Sequence, residues 1–285
     1  MDLIDAHVHL YPIAVNRDPV GWATEHGEAH WAQLCTRKRK DGAPVQAFPT
    51  MAQLLFDLNA AGIRRAVLMG WYWERHATCV EHNRFYASCL QAYPTRFAAF
   101  ATVHPDAGQK ALDEIRRAKD AGFCGIGELS PHSQHVPLDE PVWHRILELA
   151  AELDMPVNLH VTDPASRPYP GRVDTPLADF IAMAKDFPKT NFILAHWGGG
   201  LAWAEAAAGL RNVWFDTAAS PLLYGPEVWK KGPIGRVLFG SDYPLMLYPK
   251  TGAGHGFADL LAEAKAAGAD DSIFRVNAAT LLGIE

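Results

Sequence analysis

The sequence lacks any paired cysteine motif, and this absence sets the first limit on its class. The four cysteines of the 285-residue chain form no CxxC pair and are too few for a disulfide scaffold; they are Cys35, Cys79, Cys89 and Cys124. Thiols stay reduced in the cytosol, where disulfides are rare. We therefore expect four free thiols and a cytoplasmic protein.

Long apolar runs are also missing. No stretch approaches the roughly 18 consecutive apolar residues that a membrane-spanning helix requires. The first residues do not show a charged segment followed by an apolar one, as a signal peptide does. We expect no membrane segment, and we expect the first apolar run to belong to the mature fold.

An excess of positive charge is absent as well, because the formal net charge is −6 at pH 7. This balance gives no reason to expect nucleic acid or an anionic membrane as a partner. The one basic run covers residues 37–40 and is short. It is expected to be a solvated turn, with the steering of a carboxylate as the secondary interpretation.

Nucleotide-binding motifs do not occur where they would be informative. No GxGxxG motif follows the first predicted strand, which argues against the runner-up fold, a doubly wound open sheet. The glycines at 198–200 lack the lysine of a phosphate-binding loop, so they predict a tight turn. No internal repeat, low-complexity tract or domain boundary interrupts the chain.

What the sequence does contain is a series of eight short apolar runs. Nearly all are continuous rather than alternating in hydrophobicity, which is typical of parallel strands covered on both faces. The predicted strands cover residues 3–10, 64–70, 97–103, 122–129, 156–161, 191–196, 213–217 and 236–240.

Segments with helical spacing separate these runs. Thr50 can cap the first of them and Gly62 can end it. The predicted helices cover residues 51–62, 79–93, 107–121, 140–153, 177–187, 201–210, 257–267 and 271–282, with a short irregular segment at 226–231. Eight strands alternating with helices predict an α/β chain folded as a single (β/α)8 TIM barrel over residues 1–285.

Two connections are too long for simple loops. Residues 11–49 follow the first strand, and the proline-rich residues 162–175 follow the fifth. Both leave carboxyl ends of strands, where the active sites of such barrels form. We expect both to cover the mouth of the barrel, with 11–49 as a lid-like insertion.

The first strand places two histidines, His7 and His9, on the same side. Two neighbouring imidazoles are costly to bury unless their lone pairs are used, and a divalent metal is the expected user. Later strands end in residues of the same chemistry. Because the strand ends of a barrel converge on one face, we expect one polar cluster made of His7, His9, Glu128, His160, His196 and Asp242.

These residues carry a resemblance to the amidohydrolase superfamily, in particular to the branch that contains aminocarboxymuconate-semialdehyde decarboxylase and several lactone hydrolases. The resemblance covers the whole chain. Its motifs are Asp5-Ala6-His7-Val8-His9, Leu194-Ala195-His196, Gly240-Ser241-Asp242-Tyr243-Pro244 and the tail at 277–283.

The resemblance implies that His7, His9, His160 and Asp242 bind the metal and that His196 lies beside it. Glu128 occupies the position where binuclear members carry a bridging carboxylate or a carboxylated lysine. The fourth strand has no lysine, so a lysine carbamate is excluded. Glu128 can bridge two metals, complete the ligands of one, or orient a ligand. The expected cofactor is one zinc ion, with a second ion left open through Glu128.

This metal set predicts a hydrolase in which a metal-activated water attacks an ester, lactone or amide of a small carboxylated metabolite. Asp242 is the predicted proton acceptor, and His196 is predicted to stabilise the oxyanion. The first alternative is a metal-dependent nonoxidative decarboxylase of an aromatic or enoic acid, in which His196 protonates carbon. The second is an inactive barrel that binds a ligand. We expect a homodimer, but the sequence does not indicate which surface forms its interface.

Residues near other strand ends are candidates for substrate binding, since aromatic and guanidinium groups suit a planar carboxylated compound. Asp216, at the end of the seventh strand, is a candidate for binding substrate or holding a histidine that ligates the metal. The substrate-binding candidates are Trp71, Trp73, Arg75, His132, Arg167 and Arg172.

Overall fold

Eight parallel strands form the centre of the molecule in the computed structural model, which describes residues 2–219, 224–246 and 257–284. Each strand pairs with its sequence neighbours. The barrel closes where Ala6 N donates to Phe239 O at 2.7 Å and Asp242 N donates to His7 O at 3.0 Å. The predicted single (β/α)8 barrel is confirmed. The strands are β1 Leu3–Val8, β2 Ile63–Leu68, β3 Phe97–Ala101, β4 Gly125–Leu129, β5 Val157–Leu159, β6 Phe192–Leu194, β7 Val213–Asp216 and β8 Val237–Leu238.

Helices surround the strands much as their spacing predicts. Thr50 accepts a hydrogen bond from Gln53 N at the start of the helix after the insertion, and Gly62 ends that helix with φ 71°. The helices are α1 Ile13–Arg17, α2 Pro19–His26, α3 Ala29–Cys35, α4 Met51–Ala61, α5 His76–Ala92, α6 Gln109–Asp120, α7 Pro141–Glu152, α8 Leu177–Asp186, α9 Glu205–Ala208, α10 Phe257–Ala266 and α11 Asn277–Leu282.

The predicted helix at 201–210 is wrong as a continuous element. The chain leaves β6 through a left-handed turn over Trp197–Gly200, and only the four residues of α9 are α-helical after it. The turn requires glycine at position 198, where φ is 59° and a Cβ would lie 2.9 Å from Phe215. Elsewhere the differences are small: a 3₁₀ turn at Pro105–Ala107 precedes α6, and a π turn at Ser272–Val276 precedes α11.

Both faces of the strands are buried, as continuous apolar runs predict. Neighbouring residues belong to different clusters: Val67 and Phe100 lie in one, and Leu68 and Ala101 lie in the other, which packs against the helices. Among the described residues, no helix has the length and apolar character needed to span a membrane.

The insertion at 11–49 contains α1, α2 and α3 and is fastened to the barrel at the β2–α5 connection. The buried carboxylate of Glu28 accepts hydrogen bonds from Glu74 N at 2.7 Å and Arg75 N at 3.1 Å. In return, Glu74 Oε2 accepts from His30 N at 2.7 Å. His30 Nε2 also lies 2.8 Å from Gly171 O, on the β5 side of the mouth. Whether the insertion moves as a lid stays a prediction.

Candidate metal centre

The strand ends bring the predicted polar residues together at the mouth of the barrel. His7 and His9 come from β1, and their Nε2 atoms are 3.2 Å apart. Asp242, which follows β8, places Oδ1 3.6 Å from His9 Nε2 and 4.0 Å from His7 Nε2. Glu128, in β4, places Oε2 3.9 Å from His9 Nε2. These four side chains share one centre.

Glu128 also faces a second group of histidines. Its Oε1 lies 2.9 Å from His160 Nδ1 and 3.7 Å from His196 Nε2. The two imidazoles approach each other to 3.3 Å between these nitrogens. Glu128 therefore belongs to two trios that could each hold an ion: one with His7 and His9, the other with His160 and His196.

Hydrogen bonds on the far side of three imidazoles select their tautomers. His7 Nδ1 lies 2.9 Å from Asp216 Oδ2, His9 Nδ1 lies 3.0 Å from Met69 O, and His196 Nδ1 lies 3.0 Å from Ala218 O. Each of these oxygens only accepts, so the Nδ1 atom carries the proton. When the rings are neutral, this leaves the Nε2 lone pairs directed at the centre.

The donor set fits a divalent cation. Two Nε2 lone pairs at 3.2 Å repel each other unless a positive charge lies between them. Imidazole and carboxylate are the groups that zinc and similar ions bind, and the acceptors on Nδ1 are the outer partners that such ligands use.

The carboxylates around the centre make the local electrostatic potential negative. Burial disfavours protonated His7, yet the surrounding carboxylates, Asp216 foremost, raise its pKa to about 10. Burial and the neighbouring charge on His7 lower the pKa of His9 to about 3. Burial alone would raise the pKa of Glu128, but the facing imidazoles hold it well below its usual range. Burial raises the pKa of Asp242 to about 6. The field that holds a proton on His7 also favours a cation.

Asp216 is the residue whose role the sequence left most open. At the end of β7, its Oδ2 accepts from His7 Nδ1 and from Asn158 Nδ2 at 3.0 Å. Its Oδ1 accepts from the backbone N–H groups of His196 and Ala218, both at 3.1 Å. The sequence left two roles open for Asp216, binding substrate or holding a metal-ligating histidine. The described contacts match the second. One carboxylate fixes side chains or backbone from β1, β5 and β6.

A cavity of about 680 Å³ opens above the centre. His9, Glu128, His160, His196 and Asp242 border it. Its aromatic walls include Trp71, Tyr72 and Tyr169, and the Tyr72 ring lies 4.9 Å from the His160 ring, centroid to centroid. The insertion and the connection after β5 supply most of the remaining wall.

Only some of the predicted substrate-binding residues reach this cavity: Trp71 and Arg167 border it. Trp73 lies buried in the insertion's aromatic cluster, where Nε1 donates to His82 Nδ1 at 2.9 Å. His132 pairs with Asp179 at 2.8 Å, and Arg172 pairs with Asp174.

Arg75 also lies outside the described cavity walls, with its guanidinium against Gly27. Backbone direction after each strand decides which side chains turn inward, and residue type does not encode it.

Comparisons with known proteins give a sequence match to part of the chain. A 2-keto-4-carboxy-3-hexenedioate hydratase of Sphingobium sp. (strain NBRC 103272 / SYK-6) is 28% identical over 137 residues, which are 42% of this chain and 40% of the hydratase. The match therefore spans well under half of that relative.

Solved structures match nearly the whole chain. A 5-carboxyvanillate decarboxylase from Novosphingobium aromaticivorans DSM 12444, complexed with manganese and 4-hydroxy-3-methoxy-5-nitrobenzoic acid, has a TM-score of 0.72 at 17% identity, over 99% of this chain and 96% of that one. A candidate 2-pyrone-4,6-dicarboxylic acid hydrolase from Pseudomonas putida has a TM-score of 0.66 at 19% identity, over 100% and 98%. At these identities the likeness establishes the fold.

The family follows from the sequence itself. The model of the Amidohydrolase family matches residues 4–284, which include all eight strands except Leu3 of β1 and every side chain of the metal centre. The predicted resemblance is confirmed: the chain belongs to the amidohydrolase family.

Proposed function

We propose that this protein is a metal-dependent hydrolase that adds water to an ester, lactone or amide of a small carboxylated metabolite. The observation that carries the proposal is the convergence of His7 and His9 Nε2, with tautomers set from outside, on Glu128 and Asp242 at the floor of a cavity. The relatives whose names denote reactions of water with carboxylated compounds support it.

The residues that would hold the cation are His7, His9, His160 and Asp242. Glu128 lies between the His7–His9 pair and the His160–His196 pair. When bound, a divalent cation supplies Lewis acidity, which polarises a carbonyl and favours ionisation of a water molecule. Neutral imidazoles favour zinc. The carboxylates also suit manganese, which one structural relative contains.

Asp242 is placed to move the proton of the attacking water. Its backbone is fixed by the hydrogen bond from its N–H to His7 O, so its carboxylate lies on the cavity floor beside the imidazoles. It accepts the proton from water and passes it to the leaving group. His196 has its Nδ1 fixed on Ala218 O, and when protonated at Nε2 it donates to the developing oxyanion.

A decarboxylase is the second candidate, because His196 borders the cavity and a protonated imidazole there is a proton donor for a substrate carbon. The 5-carboxyvanillate decarboxylase structure shares the fold. The third interpretation, an inactive barrel, does not account for a complete donor set with ordered outer acceptors.

The test combines metal analysis with a product assay. We expect purified protein to contain a divalent metal, with anomalous scattering between His7 and His9. Incubation in ¹⁸O-labelled water with 2-pyrone-4,6-dicarboxylate and other carboxylated lactones and esters should label the product. Carbon dioxide release from 5-carboxyvanillate, without any labelled hydrolysis product, would replace the hydrolase by the decarboxylase. Absence of bound metal after mild purification would contradict both.

Two further proposals concern the whole protein. The four cysteines are free thiols, which supports a cytoplasmic location. A homodimer stays a prediction that sedimentation analysis can test.

A further inference from the structure

The basic run at 37–40 does not form a simple turn but one arm of a β-hairpin. Arg39 N donates to Ala43 O at 2.7 Å, Val45 N donates to Arg37 O at 3.2 Å, and Lys38 bridges to Pro44. We call residues 37–45 the cationic hairpin. Its chain reverses at Gly42, which has φ 85°.

The cationic hairpin is tied to the chain that follows Asp242. Met246 N donates to Val45 O at 2.6 Å, and Ala47 N donates to Pro244 O at 3.0 Å. Arg39 Nη1 donates to Met246 O at 3.1 Å. These bonds fix the hairpin at the rim of the cavity.

Positive charge is concentrated on this rim although the chain as a whole is acidic. All four basic residues of the hairpin border the cavity, as does Arg167 from the β5 connection, whereas the net charge of the chain is −6. The described acidic residues that border the cavity are Glu128 and Asp242 of the metal centre and Asp163. A surface with an excess of one sign of charge attracts ligands of the opposite sign. The rim therefore selects anions.

Arg37 is the basic residue of the hairpin that is best placed to bind an anion. Its guanidinium lies 4.7 Å from the centroid of the Tyr169 ring, and Nη1 donates to Leu34 O. Arg37 is half-buried, whereas Lys38 and Lys40 are exposed and Arg39 is engaged with Asp41 and Met246 O. A guanidinium held flat by an aromatic ring keeps its remaining N–H groups available for a carboxylate.

Trp71 borders the same cavity. Trp71 is 8% exposed, and its Nε1 is buried and has no hydrogen-bond partner among the described residues. Its ring lies 5.2 Å from the His9 ring, centroid to centroid. The indole N–H has almost no accessible surface, so Trp71 presents its ring, and not this donor, to the cavity beside the metal centre.

We propose that the substrate carries at least two carboxylates and that Arg37 of the cationic hairpin binds the one remote from the reacting bond. Among the described residues, no ion pair joins Arg37 to Glu128 or Asp242, so its charge is not consumed by the centre. This inference rests on the proposed function and names its substrate class.

Equilibrium binding to the metal-loaded protein tests the inference without knowledge of the substrate. Calorimetry would compare malonate, glutarate and isophthalate with acetate, butyrate and benzoate. We expect at least one dicarboxylate to bind more tightly than its monocarboxylate counterpart. Arg37→Gln should weaken that dicarboxylate by about 10- to 100-fold, the usual value of a charged hydrogen bond, and leave the monocarboxylate nearly unchanged.

Two further variants control the comparison. Arg37→Lys keeps the charge but not the planar fork, so we expect an intermediate loss even if Arg37→Gln folds poorly. Arg172→Gln removes one positive charge from the β5 connection, at a residue that does not border the cavity, and it should preserve the preference for the dicarboxylate.

The outcomes separate this inference from the proposed function. Equal binding of mono- and dicarboxylates overturns the inference, as does a loss in Arg172→Gln that matches the loss in Arg37→Gln. In either case a measured metal content and ¹⁸O incorporation would leave the hydrolase standing. Protein that takes up no divalent metal but still discriminates through Arg37 would overturn the hydrolase alone.

Discussion

Replacing Asp216 with Asn should weaken metal binding much more than it destabilises the fold. The reason is that the two oxygens of this carboxylate have different kinds of partner. Oδ1 accepts from two backbone N–H groups that cannot turn away. Oδ2 accepts from His7 Nδ1 and Asn158 Nδ2. Asn158 Oδ1 has no hydrogen-bond partner within the part of the chain that the structure describes, so its amide can rotate to accept. The new NH₂ group will therefore take the Oδ2 position.

In that orientation His7 must accept at Nδ1 and carry its proton on Nε2, the atom that faces His9. Charge-assisted hydrogen bonds become neutral ones, which lowers the free energy of unfolding of the metal-free protein by about 1–2 kcal/mol. Metal affinity should fall by about 10- to 100-fold, the usual effect of losing an outer partner of a ligating histidine.

Chelator competition would measure the metal affinity, and chemical denaturation would measure the free energy of unfolding. Asp163→Asn is the matched control, because Asp163 is also buried and accepts from Ala165 N and the Tyr224 hydroxyl. The hydroxyl can rotate to accept from the new amide, so the control replaces a buried carboxylate without leaving a donor unpaired. We expect this control to leave the metal affinity within about twofold. Wild-type metal affinity in Asp216→Asn would show that this acceptor does not set the His7 tautomer.

Three further predictions concern proton transfer, the metal and the insertion. Asp242→Asn should abolish turnover with circular dichroism unchanged, and near-normal activity would contradict the assigned proton route. Removing the metal with a chelator should lower the melting temperature, because an ion at 100 times its Kd stabilises the native state by about 2.7 kcal/mol; a melting temperature insensitive to chelator and to added zinc or manganese would contradict the site. Burial raises the pKa of Glu28 from 4.5 to about 7, so the folded protein loses stability as pH rises through this window, while the unfolded chain ionises earlier. Glu28→Gln lacks this loss, so its stability relative to wild type should increase by about 3 kcal/mol from pH 4.5 to 7; a pH-independent difference in denaturant titrations would contradict the buried ionisation.

The strand ends could be predicted because barrel geometry does not depend on sequence detail. Continuous apolar runs identify parallel strands, and right-handed crossovers place all their carboxyl ends on one side. Residues as far apart as His7 and Asp242 therefore had to meet, whatever the exact lengths of the helices between them. The observed 3.6–4.0 Å distances from Asp242 Oδ1 to His9 and His7 Nε2 agree with that expectation.

The outer partners could not be predicted in the same way. Met69 O and Ala218 O are backbone atoms, which every residue has, so the residue types at these positions do not predict their role as acceptors. The shared position of Glu128 between two histidine pairs depends on rotamers set by packing. Asp216 was visible as a strand-end aspartate, but its four hydrogen bonds depend on three other strands.

The cationic hairpin shows why local charge alone misplaced residues 37–40. Asp41-Gly42 is a strong turn signal, yet its flanks lack the alternating apolar residues that would identify a hairpin. The stabilising partner is the segment 244–246, about two hundred residues later in the sequence. A solvated turn and a cavity wall therefore have the same local sequence, and they differ only in what the fold brings against them. For a barrel insertion that follows a metal-ligating strand, a basic run beside an Asp-Gly turn is thus a candidate for substrate recognition, which the Arg37 variants test directly.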